Sequence, residues 1–286
     1  EKAIRGSAPA QINVPRDLWT QVVDIQLPSI IRVERASGGE KAIKQAADLL
    51  SNAKFPVILS GAGVILADAI NECKDLAEKL DAPVACGYQH NDSFPGSHPL
   101  AIGPLGYNGS KAAMEIISKA DVVLALGTRL NPFSTLPGYG IDYWPKNASI
   151  IQVDINSDRI GLAKKITTGI CGDAKLVAKQ ILNQLSSTAG DYDREDRKAI
   201  IHQTKSSWLQ TLTSLDHEDD DPGTSWNKDS RERDPDRMSP RMAWRAIQAG
   251  LPNDVIISSD IGNNCAIGNA YPTFEKGRKY LAPGLF

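Results

Sequence analysis

The residues in this chain equipped for chemistry are few, and nearly all of them follow a run of apolar residues. Gly262-Asn263-Asn264 follows, after Ile261, the strand-like pattern Asp254-Val255-Ile256-Ile257-Ser258-Ser259-Asp260. Two side-chain amides and the backbone N–H groups beside a glycine are neutral donors. They suit a diphosphate oxygen without adding a full charge, and they equally suit an ordinary Asn-rich turn. On residue types alone both readings stand. Gly61-Ala62-Gly63 lies between a strand-like and a helix-like run, where a dinucleotide fingerprint would sit, but Leu66 occupies the third glycine position. The plain reading is a tight turn beneath a helix N-terminus, whose free N–H groups can still receive a phosphate. Gly127-Thr128-Arg129 and Asp154-Ile155-Asn156 also close apolar runs. Arg129 can grip a phosphate with two parallel hydrogen bonds and Asp154 can accept from a ribose hydroxyl, although each also fits a loop anchor or a helix cap. Gly61, Gly63, Arg129 and Asp154 are therefore the candidate nucleotide-binding residues.

Other chemistry is not indicated. His90 and His98 flank the turn-rich run Asn91-Asp92-Ser93-Phe94-Pro95-Gly96-Ser97, with no cysteine or aspartate at a metal-ligand spacing, which favours structural or solvated roles. Cys73, Cys86, Cys171 and Cys265 form no CxxC pair, so buried free thiols in a reducing cytoplasm are expected. Asp219-Asp220-Asp221 lacks the Asn, Gly and Glu positions of a calcium loop and reads as a solvated segment. Neither a GxSxG nucleophile elbow nor a GxxxxGK[ST] phosphate loop occurs.

The elements that must position these residues alternate. Glu40 to Asn52 carries Ile43, Ala46, Ala47 and Leu50 at helical spacing. Pro56 to Ser60 is a buried-strand run, Ala67 to Leu80 an amphipathic helix and Pro83 to Cys86 a strand. Ser110 to Lys119 predicts a helix, Asp121 to Gly127 and Ser149 to Ile155 predict strands, Ile166 to Cys171 a short strand, and Ala174 to Leu185 a helix. Continuous apolar strands separated by helices imply a doubly wound α/β domain with a mostly parallel sheet covered on both faces. Four stretches result: 1–37, a domain's tail with a short strand at Pro9 to Pro15 and a turn at Arg16 to Trp19; 38–185, the doubly wound domain; 186–237, a charged linker with one helix at Arg194 to Leu215; and 238–286, the start of a new domain, where Ser239 is a ready N-cap, Pro240 suits the first helical position and Gly250 ends the helix.

Composition limits partners. A formal net charge of -2 gives no basic field for nucleic acid or an anionic membrane. No apolar run approaches the ~20 residues that cross a bilayer, and Glu1-Lys2-Ala3-Ile4-Arg5 is no signal peptide. A cytoplasmic protein is expected. With no initiating Met and an end at Pro283-Gly284-Leu285-Phe286, just after a strand-like pattern, the sequence reads as an internal piece of a longer chain.

Taken in order, the landmarks resemble the thiamine diphosphate-dependent acetohydroxyacid synthase superfamily. The segments that carry the likeness are Ala10 to Asp17, Ala125-Leu126-Gly127-Thr128-Arg129, Ile151 to Asn156, Ile170-Cys171-Gly172-Asp173 and Ser259 to Asn264. Cys86 to Asp92, Pro104 to Gly109, Leu136 to Pro145 and Asp260 to Asn269 narrow it to the branch that acts on sulfoacetaldehyde. The resemblance implies an order of pyrimidine-binding domain, central doubly wound domain, linker and diphosphate-binding domain. It implies thiamine diphosphate and Mg2+ as cofactors, sulfoacetaldehyde and phosphate as substrates, and acetyl phosphate and sulfite as products, within bacterial use of taurine and other sulfonates. A homodimer or homotetramer is implied, because active sites in the superfamily form between subunits. Relatives place a Gln-His pair against the cofactor diphosphate where Asn263-Asn264 stand here. Flavin-binding members carry Met-His where Tyr107-Asn108 stand, so FAD is not expected.

The same resemblance places the glutamate that activates the aminopyrimidine upstream of Glu1, and the GDG…N metal motif beyond Phe286; Gly172-Asp173-Ala174 is not that motif. No catalytic residue is thus expected within the 286 residues, and the chain alone should be inactive and bind the cofactor weakly or not at all. Three other readings remain: a stand-alone nucleotide- or coenzyme A-binding regulatory module, an acetolactate synthase-like lyase, and a nicotinamide oxidoreductase, the last disfavoured by Leu66.

Overall fold

A computed structural model describes residues 9–27, 34–217 and 240–282, together with residues 3 and 29. Its centre is a six-stranded, wholly parallel sheet: β1 (Pro56–Ser60), β2 (Val84–Cys86), β3 (Ala101–Pro104), β4 (Val122–Leu126), β5 (Ser149–Asp154) and β6 (Thr168–Cys171), in the order β3-β2-β1-β4-β5-β6. Every residue of β1, β2 and β4 is buried, whereas the edge strand β6 alternates, with Thr168 and Ile170 inward and Gly169 and Cys171 outward. A strand with helices on both faces needs apolar residues at every position; an edge strand needs them only on one.

Helices α1 (Glu40–Ser51), α3 (Ile70–Leu80) and α6 (Ala174–Gln184) pack together, as do α4 (Lys111–Ile117) and α7 (Arg194–His217). Right-handed crossovers that leave β1 toward β2 and return from β3 to β4 put these two groups on opposite faces. Ile43, Ala46, Ala47 and Leu50 form the buried face of α1, as the spacing predicts. The core is continuous from Ile43 to Ile201 and includes Ala189. Each fully buried Leu or Ile there contributes roughly 1.5–3 kcal/mol. Two short helices, α2 (Ala62–Leu66) and α5 (Pro132–Thr135), follow β1 and β4. Beyond the core lie α8 (Pro240–Gly250), β7 (Ile257–Ser258), α9 (Asn263–Ala270) and β8 (Tyr280–Leu281), with β7 and β8 paired in parallel.

Several sequence expectations are corrected. The helix expected from Ala67 to Leu80 starts only at Ile70, because Asp68 adopts φ 53 and turns the chain so that Ala69 N–H donates back to the Val64 carbonyl at 2.8 Å. Aspartate tolerates that conformation better than most residues, and apolar periodicity does not register it. Pro9 to Pro15 forms no strand; the segment is exposed and lacks a ladder partner among the described residues. From Asp254 to Asp260 only Ile257 and Ser258 pair, because β8 is itself two residues long. Three cysteines are buried, but Cys171 is exposed on the outward face of β6. The triplet at 219–221 and the proposed N-cap at 239 lie outside the described residues. Among those described, no helix is long and apolar enough to cross a membrane.

Candidate functional site

Strands β1 and β4 are neighbours, and the chain leaves them in opposite directions, which opens a crevice at their carboxyl ends. A cleft of about 260 Å³ lies there and brings together Gly63, Arg129 and Asp154, three of the four candidate nucleotide-binding residues, with Arg35, His90 and Arg159. Gly61 is not in the lining. A Cβ on Gly61 would stand 2.6 Å from the Gly127 carbonyl oxygen, and one on Gly63 would stand 2.6 Å from Gly127 Cα. Gly63 N–H donates to the Gly127 carbonyl at 2.8 Å. These glycines are thus explained by the contact of two turns, and α2 above them is only five residues long.

Asp154 is buried, and its Oδ1 accepts from Asn156 N–H at 2.9 Å. Arg129 is exposed, while Arg35 pairs with Asp173 at 2.6 Å. Asp173 Oδ1 also accepts from Lys175 and Leu176 N–H at 3.0 and 3.2 Å, so its carboxylate caps α6. Sequence reasoning missed Gln152. Buried on β5, its amide nitrogen donates to the Thr128 and Arg159 carbonyls, both at 3.2 Å, and its oxygen accepts from Gly161 N–H at 2.8 Å. A glutamine inside an apolar strand run was the available signal.

Of the two readings open for 262–264, the structure shows a helix start in place of an ordinary Asn-rich turn. Gly262 is the residue before α9, with φ 87 and ψ -146, a conformation that glycine adopts without strain. A Cβ there would meet nothing within 4 Å. Backbone conformation demands the glycine, and open space lies in front of it. The Asn263 and Asn264 side chains lie outside the described features. An open cradle at the N-terminus of an eight-residue helix fits an anionic diphosphate.

The loop after β2 locks onto this region. Gln89 N–H donates to Asn269 Oδ1 at 2.7 Å, and Asn269 Nδ2 donates to the Tyr107 carbonyl at 3.0 Å. Asn91 Nδ2 donates to the Asn269 carbonyl at 2.6 Å, and Asp92 Oδ2 accepts from Lys279 and Tyr280 N–H at 2.8 and 3.2 Å. Tyr88 stacks on Phe133 with ring centres 5.7 Å apart, and its hydroxyl lies 3.4 Å from Cys265 Sγ. The two histidines diverge. His98 Nε2 meets Glu78 at 3.2 Å and its Nδ1 accepts from Leu100 N–H at 3.2 Å, a structural role. His90 lines both the switch-point cleft and a second cavity beside β7 and β8. Burial lowers its pKa, with Arg129 adding to that effect and Asp92 opposing it. The polar cluster Gln89-His90-Asn91-Asp92 was visible in the sequence, but its partners stand some 180 residues later. A cavity of about 970 Å³ between α7, α4 and β3 is lined by none of the candidate nucleotide- or cofactor-binding residues.

Residues 43–181 match the family "Thiamine pyrophosphate enzyme, central domain". The whole chain is 76% identical over 286 residues to a probable sulfoacetaldehyde acetyltransferase of Rhizobium meliloti (strain 1021), of which it covers 48%. It is 74% identical over 284 residues, 99% of this chain, to the sulfoacetaldehyde acetyltransferase of Roseovarius nubinhibens, covering 47% of that protein. The Rhodobacter capsulatus protein of the same name is 66% identical over 285 residues, all of this chain and 48% of the relative. The chain therefore spans about half the length of the curated relatives it matches. Similar to these proteins along its whole length, the chain carries at residues 43–181 the central domain of the thiamine pyrophosphate enzymes.

Proposed function

We propose that the intact protein is a thiamine diphosphate-dependent acetyltransferase that converts sulfoacetaldehyde and phosphate into acetyl phosphate and sulfite. The observation that carries this is identity of 66–76% to relatives of that name, sustained across all of this chain. In the overall change the carbon–sulfur bond breaks, sulfite leaves with the electron pair, and the acetyl group joins phosphate. When bound, thiamine diphosphate supplies the carbon nucleophile and electron sink for this.

This chain's own residues would bind and orient. The Gly262 backbone and the amides of Asn263 and Asn264 would hold the diphosphate, and Mg2+ would neutralise its charge. Asn269, Gln89 and Asn91 fix α9 against the central domain. Tyr280, buried beside that cavity, limits the water that would otherwise take the acetyl group. Residues 1–37 read as the tail of the pyrimidine-binding domain, 38–185 as the central domain, 186–237 as linker and 238–286 as the opening of the diphosphate-binding domain. Cytoplasmic location, a homodimer or homotetramer and a role in sulfonate breakdown complete the reading. Its test is sulfite release from sulfoacetaldehyde by the intact protein: release that needs both thiamine diphosphate and phosphate supports it, and release independent of either defeats it.

A second reading concerns the switch-point cleft. The convergence of Gly63, Arg129 and Asp154 there favours a nucleotide or coenzyme A bound in the central domain in a regulatory or structural role.

A further inference from the structure

The cavity at the carboxyl ends of β7 and β8 measures about 340 Å³ and is bounded by Gln89, His90, Ser258, Tyr280, Leu281 and Ala282. Two of these come from the central domain and four from the elements that flank Gly262. Among the described residues the lining contains no lysine, arginine or carboxylate. That combination matters for a substrate that is both an aldehyde and an anion. A primary amine near the aldehyde would condense with it to an imine, and a carboxylate would repel the sulfonate. Neutral N–H and O–H donors avoid both.

Gln89 is held for such a task. Its backbone is left-handed, at φ 64, which costs a long side chain roughly 1–2 kcal/mol and persists only where the surroundings enforce it. The enforcing contact is the 2.7 Å bond from its N–H to Asn269 Oδ1. One amide hydrogen points to Cys265 Sγ at 3.0 Å; a primary amide has a second donor to offer. His90, next in sequence, makes no ring hydrogen bond among the described residues, and it forms part of the wall between this cavity and the switch-point cleft.

We propose that Gln89 and His90 bind the sulfonate of the substrate and so set which aldehyde enters, a role that rests on the acetyltransferase reading above. A weakly basic sulfonate with three oxygens is matched by the amide and imidazole N–H groups. The central domain then contributes specificity, beyond carrying the sheet.

The test uses the intact protein with thiamine diphosphate and Mg2+. Gln89→Gly keeps the left-handed backbone and removes the amide; Gln89→Asn keeps both a tolerated backbone and an amide. Gln89→Gly should raise KM for sulfoacetaldehyde by about tenfold or more, a loss of about 1.4 kcal/mol, and weaken inhibition by unreactive ethanesulfonate in parallel. KM for phosphate should hold, and Gln89→Asn should recover part of the loss. An unchanged KM for sulfoacetaldehyde, or equal rises for both substrates, overturns the proposal. Should wild-type protein release no sulfite, the acetyltransferase reading fails on its own; calorimetric titration with ethanesulfonate then decides this site, and equal binding by wild type and Gln89→Gly overturns it.

Discussion

The guanidinium of Arg197 donates to the Leu80 carbonyl at 2.9 Å and so ties the long helix α7 to the last turn of α3. Its remaining donors reach the carbonyls of Asp81, Lys54, Tyr192 and Gly190 at 2.7 to 3.1 Å. The side chain is almost wholly buried, and the cation stands where the carbonyl end of α3 carries partial negative charge. Arg197→Met would leave these buried acceptors without donors and should destabilise the protein by roughly 3–5 kcal/mol. Arg197→Lys should lose most of that, since an ammonium offers fewer donors without the planar fork. Urea unfolding checks both, and an unmoved midpoint would contradict the clamp.

Gly63→Ala and Gly127→Ala should each cost about 1–3 kcal/mol, because the new Cβ has only backbone to push against. Gly127 adds a φ of 62. Gly39, the N-cap of α1, where an added Cβ would have no heavy atom within 4 Å, is the comparison, and Gly39→Ala should cost no more than the roughly 1 kcal/mol by which alanine is the poorer cap. Thermal unfolding of the three variants distinguishes a packing role for these glycines from a purely ligand-binding one.

The thiols should separate by exposure. Burial above all raises Cys73 to about 12 and Cys86 to about 11 from an ordinary 9.0. In the unfolded chain both ionise as pH passes 9.0, while the folded protein keeps them neutral. Their contribution to stability is therefore complete below that value and declines up to about 12, at about 1.4 kcal/mol per pH unit for each thiol. Urea midpoints at about pH 8 and about pH 10 should fall accordingly, less steeply in Cys73→Ala. Among the described cysteines only Cys171 should react quickly with a thiol reagent in the folded state, and Cys171→Ser should abolish that phase.

Much of this was legible in the sequence, for identifiable reasons. Strands β1 and β4 are apolar throughout, and α1 repeats Ile43, Ala46, Ala47 and Leu50 at helical spacing; burial on two faces and on one writes directly into residue order. Gly63, Arg129 and Asp154 converge because a doubly wound sheet gathers its strand ends. What escaped depends on tertiary contact. Asp68 delays the start of a periodic helix through a single backbone torsion, and Gln89 gains its meaning only from Asn269. Gln152 looked like an interruption in a strand and is the hydrogen-bonding hub of two loop segments, those after β4 and after β5.

If the switch-point cleft holds a nucleotide, ADP, coenzyme A or NAD should raise the melting temperature, by an amount set by about 2.7 kcal/mol at a hundredfold excess over Kd. Arg129→Ala should erase the shift. A shift that survives in Arg129→Ala would place the ligand elsewhere.

An anionic cofactor tail docking at the left-handed glycine before α9 is the central claim. Calorimetric titration of the intact protein with thiamine diphosphate and Mg2+, comparing wild type with Gly262→Ala, tests it most directly. Affinity at least about tenfold weaker in the variant is expected, equivalent to about 1.4 kcal/mol. The added methyl meets open space, so the loss of stability should not exceed the roughly 1–3 kcal/mol that a side chain incurs in this backbone region. Equal affinity in the two proteins would contradict the claim.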